Sequence, residues 1–177
     1  MRAMQRSDFH YDLPTELIAQ QPPAVRSGGR LLHVQSRSLT DMHIAQLVDL
    51  IQPADLMVFN NTRVIPARLY GHKASGGRVE IMIERLLDAG RALALIRASK
   101  TPRPGSRITL DGDQTDIEVL QRQGEFFLLR FDTDDLIGLL DRQGHIPLPP
   151  YIEREDELTD RERYQTVFSK SLGAVAA

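Results

Sequence analysis

Three short stretches hold the side chains best suited to chemistry. In Phe59-Asn60-Asn61-Thr62-Arg63-Val64-Ile65-Pro66-Ala67-Arg68-Leu69, the amide and hydroxyl groups of Asn60, Asn61 and Thr62 can satisfy a tight loop or grip a ligand. Arg63 and Arg68 add planar forks that match a carboxylate or a phosphate. In His145-Ile146-Pro147-Leu148-Pro149-Pro150-Tyr151-Ile152, three prolines in four positions force an extended backbone. His145 at one end can exchange a proton near neutral pH, and Tyr151 at the other can stack or donate a hydrogen bond. Such a rod could wall a pocket for a flat base, or it is a proline-rich linker packed on the surface. In Arg97-Ala98-Ser99-Lys100-Thr101-Pro102-Arg103-Pro104-Gly105, two prolines hold Arg97, Lys100 and Arg103 near one another. That arrangement lowers the ordering cost of binding an anion, although an ordinary surface loop has the same composition.

These stretches need a scaffold. Leu56 to Phe59 reads as a core strand feeding the Asn60 loop, where a site or a capped turn would both be at home. Before it, Asp12 to Ile18 looks like a short helix stopped by Pro22-Pro23. Leu31 to Val34 follows as a strand, in which His33 is a strand residue rather than a ligand. From Asp41 the period becomes helical, with Ile44, Leu47, Val48 and Ile51 on one face, Thr40 or Asp41 as N-cap, and Pro53 as the stop. Strand, helix, strand in that order suggests a crossover unit of an α/β domain.

Beyond Arg63 the period is two. Arg63–Tyr70, Arg78–Leu87, Ala92–Ser99, Arg107–Leu110, Thr115–Arg122 and Phe126–Phe131 read as strands separated by Gly-rich turns. Val79, Ile81 and Ile83 alternate with Glu80, Met82 and Glu84. Strands of this length and spacing predict a small antiparallel barrel or sandwich, inserted between mixed segments. A helix returns over Asp134–Gln143, with Leu136, Ile137, Leu139 and Leu140 as its stripe and Gly144 as its stop. Glu153 to Glu157 reads as a solvated acidic loop. Thr159-Asp160-Arg161-Glu162 fits a capping box for a helix through Tyr164.

At 177 residues, 41% hydrophobic and 26% charged, the chain has the composition of a globular protein of one or two domains. It holds no cysteine, which excludes disulfides, thiolate metal sites and cysteine catalysis. No apolar run approaches a membrane span, and no signal peptide opens the chain, so cytoplasm is the expected compartment. The net charge of −2 conceals an asymmetry: between Arg63 and Arg107, ten Lys or Arg face only Glu80, Glu84 and Asp88. A basic block in an otherwise acidic chain suits an anionic partner such as nucleic acid, or a solvated face kept charged for solubility.

The order of the motifs is more specific than any one of them. The Phe59–Arg68 stretch, Lys73-Ala74-Ser75-Gly76-Gly77, Arg97-Ala98-Ser99-Lys100, the His145–Ile152 rod, Asp160-Arg161-Glu162-Arg163-Tyr164-Gln165-Thr166-Val167 and Gly173-Ala174-Val175-Ala176-Ala177 occur in register over essentially the whole chain. Together they resemble the S-adenosylmethionine:tRNA ribosyltransferase-isomerase family of queuosine biosynthesis. The resemblance implies a monomeric cytoplasmic tRNA-modifying enzyme of mixed α/β (α+β) class. Its main domain would be α/β barrel-like, comprising residues 1–66 and 133–177, with an inserted small antiparallel β-barrel domain over 67–132. It implies transfer and isomerisation of the ribosyl part of S-adenosylmethionine onto 7-aminomethyl-7-deazaguanine at the tRNA wobble position. Epoxyqueuosine forms, and adenine and methionine leave. S-adenosylmethionine is consumed as a co-substrate, and no metal is implied.

That reaction needs a base for a proton beside the sulfonium, a donor for departing adenine, and cations for tRNA phosphates. His145 is the candidate for proton transfer. Asn60, Asn61 and Thr62 would orient ribose hydroxyls or a base edge. Arg63, Arg97 and Lys100 would meet phosphate or the methionine carboxylate, and Tyr151 or Tyr164 would stack on a base. Arg68 and Arg161 complete the substrate-binding set. Family members continue past Ala177 with a Pro-Thr-Ala-Gly-Leu-His-Phe-like motif, so the chain is expected to be an N-terminal portion that needs its C-terminal remainder as partner. Two other readings are a non-catalytic RNA-binding β-barrel module and an S-adenosylmethionine-dependent methyltransferase. The latter lacks a Gly-x-Gly loop after the first strand.

Overall fold

In the computed structural model, which describes residues 4–173, the chain divides into two units. One comprises Met1–Asp55 with Pro149–Glu155, the other Leu56–Leu148 with Asp156–Ala177.

No described residue of the first unit is fully buried, and its secondary structure is correspondingly slight. Strands β1 (Arg30–Gln35) and β2 (Ser38–His43) pair antiparallel from Arg30↔His43 to Gln35↔Ser38. Short 3-10 turns cover Arg6–Phe9, Thr15–Leu17, Arg26–Gly28 and Ile44–Asp49. The helix expected from Asp41 is therefore a correction. Thr40 and Asp41 lie in β2, and Ile44, Leu47 and Val48 occupy a six-residue 3-10 segment whose N-cap is His43. The helix expected within Asp12–Ile18 is likewise only the three-residue turn Thr15–Leu17. An amphipathic helix is held mainly by the surface its apolar stripe covers; Ile44 and Val48 are exposed and have no such surface. Gln20 closes the unit: its side-chain oxygen accepts from the Glu153 N–H at 2.7 Å and its amide donates to the Tyr151 carbonyl at 3.0 Å.

In the second unit, β3 (Thr62–Val64) follows a segment that is not a strand. The core strand expected over Leu56–Phe59 does not form, and Leu56 and Val58 are 88% and 86% exposed. No ladder partner stands beside them among the described residues, and the expected strand–helix–strand crossover goes with it. Six strands then close a barrel in the order β4-β5-β6-β9-β8-β7. They are β4 (Arg68–Lys73), β5 (Arg78–Leu86), β6 (Arg91–Ala98), β7 (Arg107–Leu110), β8 (Asp116–Gln123) and β9 (Phe126–Phe131). The expected small antiparallel barrel is what forms, with every neighbouring pair antiparallel. Leu69, Val79, Ile81, Ile83, Ile108, Leu110, Ile117, Val119 and Leu129 fill its interior, the inward half of the two-residue period. Register shifts at Ile83/Arg85 and Val119/Gln121 supply the extra bend that closure demands.

Two further features fix the ends of the barrel. Residues 99–106 join β6 to β7, which are not neighbours, so this loop crosses the barrel, and its Pro102 is buried. Helix α1 (Leu136–Gln143) adds Leu136, Leu139 and Leu140 to the same core. Ile137, expected in that stripe, is exposed. The carboxylate of Asp135 caps α1 by accepting the Gly138 N–H at 2.9 Å. Gly144 ends the helix in an extended conformation (φ −78) rather than a left-handed one. Its glycine is required because a Cβ would run into the carbonyl of Pro66.

The helix expected from Thr159 is the single turn α2 (Asp160–Arg163), and the Thr159 side chain forms no cap hydrogen bond. The expected capping box is replaced by a turn two residues earlier. There Asp160 Oδ2 accepts the Glu157 N–H at 2.8 Å and Asp160 N–H donates to the Glu157 carbonyl at 2.9 Å. Strand β10 (Ser171–Gly173) then pairs parallel with β3.

Candidate active site

The first three residues of β4 extend past its ladder with β7, which pairs only with Gly71–Lys73. His145 occupies the backbone edge so left open: its N–H donates to the Arg68 carbonyl at 2.8 Å and its carbonyl accepts the Arg68 N–H at 3.1 Å. The proline rod thus begins as a one-residue strand docked on the barrel. The imidazole is 44% exposed, and its Nδ1 lies 2.7 Å from Oδ1 of Asp156, whose own side chain is only 14% exposed. The other carboxylate oxygen accepts the Ile146 N–H at 2.9 Å. One carboxylate therefore grips the histidine ring and the backbone next to it.

The ring of Tyr70 stands edge-on to His145, with centroids 5.0 Å apart and planes at 65°. Residues paired across a ladder share a face, and the row Tyr70↔Glu80↔Arg97 runs across β4, β5 and β6. Leu69, Ile81 and Ile96 on the neighbouring row point inward or pack on the core. Tyr70 and Arg97 therefore lie on the outer wall, both exposed. Arg68 is half-buried beside them. Its Nε lies 3.2 Å from Glu80 Oε1, yet the approach is too oblique for a hydrogen bond, so the contact is an ion pair only. The guanidinium also reaches the Leu148 carbonyl at 3.5 Å, the outer limit of such a bond. An aromatic plane, a proton-exchanging ring and two guanidinium groups thus share one outward face. That is an arrangement able to stack a base, move a proton and hold an anion.

The other predicted residues are distributed elsewhere. Asn60 Oδ1 accepts the Thr62 N–H at 2.8 Å, a turn that launches β3, while the Asn61 carbonyl accepts from Lys170 and Ser171. Thr62 pairs with Ser171 in the β3–β10 ladder. Arg63 lines a depression of about 220 Å³ with Asp141, Ile146, Arg161 and Gln165. Arg161 donates to the carbonyls of Asp141 and Gly144, both at 2.7 Å, and so satisfies the end of α1. Gln165 pairs with Val64 like a strand neighbour, accepting its N–H at 2.8 Å and donating to its carbonyl at 2.7 Å. Tyr164 is half-buried behind α2. Lys100 is exposed on the loop across the barrel, where its carbonyl receives Lys73 Nζ at 2.9 Å. Tyr151 belongs to the first unit and is exposed.

Sequence reasoning missed Tyr70, Asp156 and Gln165. Tyr70 carried a usable signal, since it falls on the outward phase of a strand whose inward phase is plain. Asp156 was hidden in an acidic run that looks solvated. A depression on the opposite strands, lined by Arg107, Asp116, Glu118 and Arg130, is a weaker candidate. Both of its arginines are already paired, Arg107 with Asp116 at 3.8 Å and Arg130 with Glu118. Among the described residues no group of three or more His, Asp or Glu side chains could hold a metal ion, and no helix is long and apolar enough to cross a membrane.

Comparison with known proteins places the chain in context. It matches the family described as queuosine biosynthesis protein over residues 6–177. A curated relative from Stenotrophomonas maltophilia is 56% identical over 177 residues, and one from Xanthomonas oryzae pv. oryzae is 57% identical over 178. Each match covers 98% of this chain, and both relatives are named S-adenosylmethionine:tRNA ribosyltransferase-isomerase. The chain spans about half of their length, 51% and 49% respectively. The crystal structure of S-adenosylmethionine tRNA ribosyltransferase from Thermotoga maritima aligns at 30% identity and a TM-score of 0.41, over 82% of this chain and 52% of that one.

Proposed function

The chain belongs to the queuosine biosynthesis protein family, and on that premise we propose that it is part of an enzyme that transfers and isomerises the ribosyl group of S-adenosylmethionine onto tRNA. The acceptor is 7-aminomethyl-7-deazaguanine at the wobble position, and epoxyqueuosine-tRNA, adenine and methionine are the products. The carrying observation is the identity of 56–57% along 98% of the chain with two relatives of that name. The enzyme acts in the cytoplasm as a monomer and needs the remaining half of the relatives' length for a complete site.

His145 is the proton acceptor in this reading. The C–H bond beside the sulfonium breaks, the proton passes to the ring, and the electron pair stays on the carbon next to the positive sulfur. Tyr70 offers a stacking surface beside it. Arg68 and Arg97 on the same wall, with Lys100 and Arg63, meet phosphate or the methionine carboxylate. Asn60, Asn61, Thr62, Tyr151, Arg161 and Tyr164 remain in the proposed set, Asn60 and Arg161 acting through the loop and helix end that they hold together. The barrel is an insertion over 67–132 in a mixed α/β barrel-like domain. Support for that domain comes from β3 and β10, which flank the barrel in sequence and pair in parallel.

Adenine release from S-adenosylmethionine, with tRNA carrying the aminomethyl base, tests the reading. The assay compares this chain with one extended to the relatives' length. Release by the extended chain is expected, with His145→Ala lowering turnover about 10²–10⁴-fold. Full turnover in that variant would remove His145 from the mechanism. Salt-dependent tRNA binding without adenine release would instead restore the RNA-binding module, a reading that relatives named as enzymes do not favour.

A further inference from the structure

We propose that Asp156 is a positioning residue that fixes the tautomer of His145 and leaves Nε2 as the proton-accepting atom. The inference rests on the role proposed for His145. A neutral imidazole has one donor and one acceptor nitrogen, and an ionised carboxylate can only accept. Oδ2 of Asp156 is engaged by the Ile146 N–H at 2.9 Å, and Oδ1 lies 2.7 Å from Nδ1. The proton between Oδ1 and the ring therefore belongs to Nδ1. The lone pair of the neutral ring is left on Nε2, which forms no hydrogen bond among the described residues.

The surroundings favour a held ring over a passing contact. The His145 backbone is tied on both sides to Arg68, Tyr70 stands against the ring face or edge at 5.0 Å, and the carboxylate is the shielded member of the pair. The exposed part of the imidazole is thus the part that would meet substrate. An asparagine could not do the same work: with its oxygen on the Ile146 N–H, its NH2 would face Nδ1 as a donor and leave the ring proton to Nε2. This is the logic by which a carboxylate behind a histidine sets which nitrogen takes a proton.

Long-range proton–nitrogen correlation spectra of the chain labelled with nitrogen-15 histidine test the tautomer of the neutral ring directly. The His145 signals are assigned by their loss in His145→Gln. The expected pattern is a protonated Nδ1 and an unprotonated Nε2. In Asp156→Asn, whose NH2 would face Nδ1, both nitrogens should shift away from that pattern toward a protonated Nε2, while backbone amides of the barrel stay in place. In the full-length enzyme, Asp156→Asn should lower kcat about tenfold or more with KM little changed. A protonated Nε2 in the unaltered chain overturns the inference, and that reading needs no variant to fold. So does a ring spectrum unmoved in Asp156→Asn, or full turnover by that variant when His145→Ala is inactive. If the tautomer is as expected but His145→Ala turns over fully, the role of His145 fails instead, and the two failures are separable.

Discussion

Asp88 shows how much one exposed side chain can organise. Its Oδ1 accepts the N–H groups of Gly90 and Arg91 at 3.1 and 2.8 Å, and its Oδ2 is 2.6 Å from the Arg91 guanidinium. The Arg91 hydrogen bond, followed by that from the Gly90 backbone, holds this carboxyl below its ordinary value of 3.8. A folded-state value below the unfolded one means that the stabilisation is complete above the unfolded value and is lost as pH falls through the folded one. Asp88→Asn should therefore lower the melting temperature at pH 7, and the gap to the unaltered chain should close as pH drops below about 3.8. Thermal melts across that range check it; a gap that is constant with pH would show that charge has no part in the turn. Residue roles were legible in the sequence only where residue type restricts them. His145 stood out because few side chains exchange protons near neutrality, whereas Asp156 is one carboxylate among several until the turn before α2 brings it under the ring. Arg161 reads as a substrate cation, and its commitment to the last carbonyls of α1 is a tertiary fact that no spacing reveals.

Elements were legible wherever they carry their own core. The barrel strands alternate so strictly that Arg107–Leu110 and Phe126–Phe131 have the bounds expected of them, and the turns between strands are marked by glycine. The first unit was not legible, because a helical period specifies a helix only when something covers its stripe, and there no described residue is fully buried. Gly71 is the element-scale feature that composition conceals. It lies opposite Leu110 where β4 meets β7, and a Cβ there would come within 2.5 Å of the Thr109 carbonyl and 3.2 Å of Leu110 Cα. These atoms are all backbone of β7 and cannot give way as a side-chain tip would. Gly71→Ala should therefore loosen the seam that closes the barrel and cost about 1–3 kcal/mol, as other overpacking does. Chemical denaturation measures it, with amide exchange at His72 and Thr109 rising selectively. An alanine variant as stable as the parent would mean that the seam can spread without loss.

At the scale of the whole molecule, a chain of net charge −2 and pI near 6.2 is expected to repel a polyanion, so the proposed tRNA binding would depend on where the charge lies. Arg97, Lys100 and Arg103 lie at the end of β6 and on the loop across the barrel, exposed and outside any ion pair among the described residues. Arg130, by contrast, is already matched to Glu118 on the opposite wall. Each phosphate neutralised contributes about 0.7–0.9 to the slope of log affinity against log salt. Replacing Arg97, Lys100 and Arg103 together by glutamine should thus reduce that slope by about 2–3, and Arg130→Gln should change it by less than about 1. Titration of tRNA at several salt concentrations separates the two accounts of the basic block. A recognition surface loses slope only where its cations are unpaired. A face charged merely for solubility would give the triple variant and the parent the same slope, and these three cations would then have no part in the tRNA binding proposed for this chain.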